Sequence, residues 1–128
     1  MTEMEMNPGH GGICYVEIPA PDLAKARRFY ATVFDWQVSA SDLGKAAYAM
    51  FQAPGLAGGL DPRKQATDKG VLLYIKTGDI PAKLKEIERA GGRVITGKTQ
   101  VIQGSDDYGF AAIFHDPNGN QLGLWAMA

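Results

Sequence analysis

Hydrophobic and polar residues in the first half of the chain follow two periods in turn. ICYVEI at 13–18 is a short run of β-branched and aromatic residues closed by prolines, which predicts a strand. DLAKARRFYATVF at 22–34 then has a helical period, and Asp22 occupies the position of an N-cap. Four apolar residues share one face of this helix: Leu23, Ala26, Tyr30 and Val33. The order is therefore a strand followed by an amphipathic helix.

Two further β-rich runs follow the helix. WQVSAS at 36–41 and AAYAMFQ at 46–52 flank a turn at Gly44 and predict a hairpin. The next segment, APGLAGGLDP, is rich in glycine and proline, and DPRKQATDK at 61–69 has the composition of a linker.

The second half of the chain repeats this order. VLLYIKT at 71–77 predicts a strand, Asp79 an N-cap, and PAKLKEIERAGG at 81–92 a helix that ends at paired glycines. Ile80, Leu84 and Ile87 lie on one face of that helix. RVITGKT and GFAAIFH predict a hairpin around the polar loop QGSDDYG, and QLGLWAM predicts a last strand.

The two halves also share spacings. Asp22 and Asp79 each follow a strand and open a helix, while FQAP at 51–54 and FHDP at 114–117 each end a strand with phenylalanine and proline at the same interval. A duplicated βαβββ module is the simplest explanation, which makes the fold class α+β. Each half has too few strands to bury both of its faces alone, so the halves must combine.

The domain organisation follows from this repeat. Residues 1–11 have no apolar face to bury and predict a flexible tail. Residues 12–128 predict a single domain, with module one at 12–60, a linker at 61–69 and module two at 70–126.

Composition excludes several classes of protein. The chain has 128 residues, 45% of them hydrophobic, and its net charge of −1 gives no basic footprint for nucleic acid. Cys14 is the only cysteine, which excludes an internal disulfide and a cysteine zinc cluster. Strand alternation predicts that this thiol is buried on the helix side. Without a long apolar run or a signal segment, the sequence predicts a cytoplasmic protein with no membrane anchor.

Three segments together resemble the vicinal oxygen chelate superfamily, which includes glyoxalase I, extradiol dioxygenases and bleomycin-resistance proteins. They are EIPAPDLAKARRFYATVFDW, AGGRVI and GFAAIFHDPNGNQLGLW, and the resemblance covers about residues 12–126. DPNGN before an apolar strand is the most specific piece. The resemblance implies two modules that form a cupped, barrel-like mixed β-sheet with helices outside, a cavity for a metal, substrate or drug, and a homodimer by analogy.

The ligand positions of metal-using family members carry other residue types in this chain. In the family, His, Glu or Gln ligands stand on the first and last strand of each module. The matching positions are Tyr15 and Leu72, seven residues before the aspartate that opens each helix, and Gly123, six residues after the proline of the DPxG turn. The same count from Pro54 gives Leu60. None of the four residues is a plausible ligand for a divalent metal.

We therefore expect a glyoxalase-like subgroup without the usual metal ligands and without a cofactor. The alternative is an unconventional divalent-metal site built from Glu17 with Asp106, Asp107 or His115. Of the histidines, His10 falls in the predicted tail, and His115 is expected to end a strand.

Strand alternation and the family's ligand positions together indicate which side chains face the cavity. Six residues are the predicted ligand-binding set: Tyr15, Glu17, Tyr74, Lys76, Gln121 and Trp125. They combine aromatic walls with a few polar groups, as small-molecule pockets do. Tyr15 and Trp125 either stack on a ligand or belong to the core.

Glu17 is the candidate catalytic residue. A carboxylate inside a β-rich run needs a partner or carries a raised pKa. It either forms a structural ion pair with Lys76, or anchors a ligand or serves as a general base, or reaches solvent at an edge.

Three functions follow from these residues. The first is a bleomycin-resistance-like protein that binds a small molecule without metal. The second is a metal-dependent glyoxalase-like lyase, isomerase or dioxygenase, and the third is a metal-independent enzyme with Glu17 as general base.

Overall fold

The computed structural model describes residue 10 and residues 13–43, 46–67 and 69–128. The chain divides into two compact units, Met1–Ala66 and Thr67–Ala128. The predicted tail at 1–11 lies outside the described residues except for His10, which is exposed, and the predicted turn at Gly44 also lies outside them.

The first unit contains one helix and a four-stranded mixed sheet. In chain order its elements are β1 (Val16–Pro19), α1 (Leu23–Phe34), β2 (Gln37–Leu43), β3 (Ala46–Ala53) and β4 (Leu56–Asp61). The strands are ordered β1-β4-β3-β2, and β1 runs parallel to β4 while the other pairs are antiparallel.

The second unit has the same topology. Its elements are β5 (Tyr74–Lys76), α2 (Ile80–Arg89), β6 (Arg93–Ile102), β7 (Ser105–His115) and β8 (Gln121–Ala126). The strands are ordered β5-β8-β7-β6, with β5 parallel to β8. The prediction of an α+β fold built from two βαβββ modules is therefore confirmed.

Both helices begin where their aspartates predicted. The carboxylate of Asp22 accepts a hydrogen bond from Lys25 N at 3.1 Å, and that of Asp79 accepts one from Ala82 N at 3.0 Å. These bonds satisfy donors that the first helical turn leaves unpaired. Gly91 follows Ala90, the C-cap of α2, and has a φ of +95° that glycine adopts without steric cost.

Helix α1 ends at Asp35, which has a φ of 58° in the left-handed region. Residues with a Cβ are sterically strained in this region, and aspartate is strained less than most but more than glycine. We expect Asp35→Gly to raise the free energy of unfolding by about 0.5 kcal/mol, measured by urea denaturation. The control is Asp107→Gly, at an exposed position in β7. This substitution should lower the free energy of unfolding, because glycine weakens a strand.

Each helix packs its apolar face on one side of its sheet. In the first unit the buried ring of Tyr30 stacks on Trp36 with centroids 4.8 Å apart, and Trp36 stacks on Phe51 at 4.5 Å. In the second unit, α2 contributes the buried side chains of Ile80 and Ile87. The opposite face of each sheet is more open, and this is where the candidate site lies.

The glycine-rich segment after β3 forms the buried strand β4, which its composition did not predict. A Cβ at Gly58 would collide with the backbone oxygen of Val16 on β1 and with the ring of Phe51 on β3, so only glycine lets both of them approach β4 this closely. Asp61, placed in the predicted linker, is the last residue of β4.

The boundaries of three other predicted strands also differ. Strand β5 is limited to Tyr74–Lys76, whereas β6 and β7 extend until only residues 103–104 separate them. The predicted polar loop is therefore mostly strand, because a hairpin with exposed edges accepts polar residues. Cys14 is exposed rather than buried, since β1 starts at Val16 and leaves Cys14 outside the sheet.

Both helices in the described part of the chain are short, α1 with 12 residues and α2 with 10. Neither α1 nor α2 is long and apolar enough to cross a bilayer.

Candidate functional site

The open face of the second sheet is defined by its strand register. Tyr74 on β5 is opposite Gly123 on β8, which is opposite Ile113 on β7. Trp125 in turn is opposite Ala111. The residues between these, including the buried Leu122, Leu124 and Phe114, face the helix side.

A cavity of about 560 Å³ lies on this open face. It falls within the size range of ordinary small-molecule pockets. The lining residues come from all four strands of the sheet: Tyr74, Thr96, Thr99, Gln100, Val101, Ala111, Ala112, Ile113 and Trp125. Of the predicted ligand-binding residues, Tyr74 and Trp125 are thus brought together.

Two contacts with the neighbouring strand β7 hold Trp125 in place. Its Nε1 donates a hydrogen bond to the carbonyl oxygen of Tyr108 at 3.0 Å. Its ring also fills the space beside Gly109, where a Cβ would lie 2.9 Å from Trp125 Cζ2. The indole therefore forms a preorganised wall of the cavity.

Tyr74 forms a second aromatic wall. Its ring lies over Gly123, where a Cβ would be only 2.5 Å from Tyr74 Cδ1. The side chain remains 54% exposed, so it is available to a ligand.

Lys76 and Gln121 lie on the same face but outside the cavity lining. Lys76 is exposed and is paired with Trp125 in the β5–β8 register. Gln121 is hydrogen-bonded through Oε1 to Nε2 of His115 at 3.1 Å. His115 ends β7, as the sequence predicted.

In the first unit, the open face of the sheet holds a hydrogen-bonded cluster. Tyr48 Oη donates to Glu17 Oε2 at 2.9 Å and shares a hydrogen bond of 2.8 Å with Tyr15 Oη. Lys64 Nζ lies 2.5 Å from Glu17 Oε1. Tyr15 and Glu17 are thus brought together, through a residue that the sequence did not single out.

The partners of Glu17 determine its protonation. Hydrogen bonds from Lys64 and then from Tyr48 lower the pKa of the Glu17 carboxyl, since both favour its charged form. Burial raises the pKa of Tyr48, and its hydrogen bonds to Tyr15 and Glu17 raise it further. Glu17 is therefore a carboxylate at neutral pH, and Tyr48 is a neutral phenol.

Pairing of Glu17 with Lys76 would join the two units and stays a prediction, but within its own unit Glu17 already has a cation beside it. Its ion-pair partner is Lys64, which stood in the predicted linker just beyond β4. Strand β4 runs parallel to β1, so the residues that follow it come close to β1. Tyr48 was missed because the sequence left open which face of β3 it occupied.

This cluster predicts a pH dependence. Because the pKa of Glu17 is lowered on folding, its stabilising contribution is present above the unfolded carboxyl pKa and is lost as the pH falls through the folded value. Glu17→Gln should therefore lower the melting temperature at about pH 7, and the difference from wild type should shrink below about pH 4.

Thermal unfolding followed by circular dichroism at several pH values measures this difference. Glu88→Gln, at an exposed position on α2, is the matched control. A difference between wild type and Glu17→Gln that stays constant down to about pH 3 would contradict the account.

The positions of the family's metal ligands do not fit a metal in this chain. Register places Gly59 opposite Glu17, as Gly123 is opposite Tyr74, so the predicted position Leu60 was wrong by one residue. Leu60 is fully buried on the helix side. The shift arises because Gly59 follows Pro54 by five residues, whereas Gly123 follows its proline by six.

An aromatic ring occupies the space at both last-strand positions. A Cβ at Gly59 would collide with Tyr48 Oη, and one at Gly123 with the ring of Tyr74. Within the described ranges, no three His, Cys, Asp or Glu side chains converge on a point that could hold a metal ion.

A smaller cavity of about 170 Å³ lies at the β2 edge of the first sheet. Six residues line it: Gln37, Val38, Ser39, Met50, Phe51 and Gln52. It is below the usual size of a ligand pocket, so the larger cavity is the candidate site.

Comparison with known proteins agrees with this architecture. The family model described as the Glyoxalase/Bleomycin resistance protein/Dioxygenase superfamily matches residues 12–124. A glyoxylase-like domain-containing protein of Didymella fabae is 27% identical in an alignment of 118 residues that covers 87% of this chain and 90% of that protein.

Two further proteins are similar to this chain, one by sequence and one by fold. An anthracycline biosynthesis protein, DauV of Streptomyces sp. (strain C5), is 27% identical over 90% of this chain, but the chain spans only 46% of that protein. Among solved structures, the fosfomycin resistance protein FosX of Listeria monocytogenes has a TM-score of 0.75 at 15% identity. The superposition covers 92% of both chains. The last similarity concerns the fold alone.

Proposed function

This chain belongs to the glyoxalase/bleomycin resistance protein/dioxygenase superfamily, and from that premise we propose that it binds a small organic molecule in the cavity of its second unit, without a metal. The observation that carries the proposal is the cavity of about 560 Å³ on the open sheet face, walled by Tyr74 and Trp125. Both rings are held over glycines and need no rearrangement to accept a ligand. Such preorganisation lowers the entropic cost of binding.

The residues favour binding over the two enzymatic alternatives. A general base works best with a pKa near the working pH, but the partners of Glu17 lower its pKa. A metal-dependent lyase, isomerase or dioxygenase needs ligands at positions where this chain has Tyr15, Gly59, Leu72 and Gly123.

The names of the relatives suggest where to search for the ligand. One is an anthracycline biosynthesis protein, and a structural neighbour is a fosfomycin resistance protein. We include anthracycline-type compounds in the proposed ligand set, whereas the similarity to the fosfomycin resistance protein concerns the fold alone. We also propose a cytoplasmic homodimer by analogy with the family.

A thermal-shift screen in buffer containing EDTA tests the proposal. We expect at least one small organic compound to raise the melting temperature in a concentration-dependent manner, because a ligand that binds only the folded state stabilises it. Nickel, zinc, manganese and iron, added without a compound, should cause no rise. A stoichiometric metal in the purified protein, or ligand binding that requires one, would overturn the metal-free proposal.

A further inference from the structure

We infer that the ligand of the second-unit cavity is an uncharged, planar aromatic molecule. The inference rests on the proposed function, since it names the ligand class of that same cavity. It is carried by the charge, the shape and the hydrogen-bonding state of the lining residues.

The cavity lining contains no Asp, Glu, Lys, Arg or His side chain. Lys76, paired with Trp125, is exposed and outside the lining, and Lys98 on β6, also outside it, lies over the ring of Phe110 at 4.5 Å from the ring centroid. An ionised ligand would lose hydration here without gaining an opposite charge. The lining therefore favours an uncharged ligand.

The hydrogen-bonding groups of the lining are few and mostly engaged. Trp125 Nε1 already donates to Tyr108 O, so the indole offers its ring rather than a donor. Gln100 donates to Asp106 and accepts from Gly104 N. Thr99 donates to Gly97 O at 2.9 Å. Polar recognition is thus left to hydroxyl groups on β6 and to the phenol of Tyr74.

The shape of the lining favours a flat ligand. Tyr74 and Trp125 supply aromatic surface, and Ala111 and Ile113 on the adjoining strand β7 are aliphatic. A ring pair adds about a 2- to 10-fold gain in affinity beyond the burial of apolar area. Two such walls select for an aromatic ligand over an aliphatic one of equal size.

Three probes separate charge from shape: a dihydroxyanthraquinone, anthraquinone sulfonate of similar size, and adamantanone, a smaller aliphatic ketone for which the Tyr74→Leu variant supplies a comparison that does not depend on size. Affinities are measured in EDTA buffer by isothermal titration calorimetry on the full chain. We expect the dihydroxyanthraquinone to bind at least about 10-fold more tightly than either of the others.

Tyr74→Leu provides a second readout, because it keeps apolar bulk at an exposed position and removes only the ring. It should weaken dihydroxyanthraquinone binding about 5-fold and leave adamantanone binding unchanged. Tighter binding of the sulfonate or of adamantanone would overturn the ligand class while leaving the proposed function intact. If none of the three probes binds, the inference fails, and the compound screen decides the proposed function separately.

Discussion

Replacing Gly58 with alanine is expected to lower the free energy of unfolding by about 3 kcal/mol. Gly58 is buried in β4, and a Cβ there would overlap the backbone oxygen of Val16 and the ring of Phe51. Neither can move away easily, because Val16 belongs to β1, which pairs with β4, and Phe51 is buried in the core beside Trp36. Urea denaturation followed by circular dichroism measures the loss.

Gly97→Ala is the matched control for Gly58→Ala. Gly97 lies in β6, and no atom comes within 4 Å of where its Cβ would be. Its replacement should change the free energy of unfolding by no more than about 0.5 kcal/mol. Equal effects of the two substitutions would show that β4 is not packed between β1 and β3 as described.

The second large effect is on ligand binding. Trp125→Ala should weaken the tightest-binding compound of the EDTA screen by about 30-fold, or about 2 kcal/mol, because a preorganised aromatic wall is a typical hot spot. Isothermal titration calorimetry measures the affinity, and a circular dichroism spectrum verifies the fold. Trp125→Phe keeps a ring but loses the hydrogen bond to Tyr108 O, so it should cause a smaller loss.

Tyr108→Ala is the control for this substitution. Tyr108 is a 61% exposed aromatic residue outside the cavity lining, and its replacement preserves the backbone oxygen that holds Trp125. We expect its affinity to stay within about 2-fold of wild type. A similar loss in both variants would place the ligand elsewhere on the surface of β7 and β8.

The helices were predictable from sequence because their signals are local. A capping aspartate at Asp22 or Asp79 and an apolar face at helical spacing depend only on neighbours along the chain. The duplication was predictable for a similar reason, since each half carries its own copy of these signals. The motif DPNGN before an apolar strand then identified the family, which the match over residues 12–124 confirmed.

Strand β4 was not predictable in this way. By propensity, its glycines disfavour a strand. Glycine is needed there because the side chains of Phe51 and Tyr48, on the neighbouring strand β3, occupy the space that a Cβ would take. The contact between Glu17 and Lys64 likewise depends on the parallel pairing of β1 with β4, two strands that are far apart in the sequence. Sequence alternation named Tyr74 and Trp125, but the β6 residues that complete the cavity carried no signal of their own.

The central claim is that a small molecule binds the open face of the second sheet without metal. The most direct test is a titration of ¹⁵N-labelled, EDTA-treated protein with the tightest compound of the screen, followed by heteronuclear NMR. The account predicts chemical-shift changes centred on the backbone amides of Ala111, Ile113 and Gly123, which border the cavity on β7 and β8. Changes confined to residues 13–66, or changes that appear only after a divalent metal is added, would contradict it.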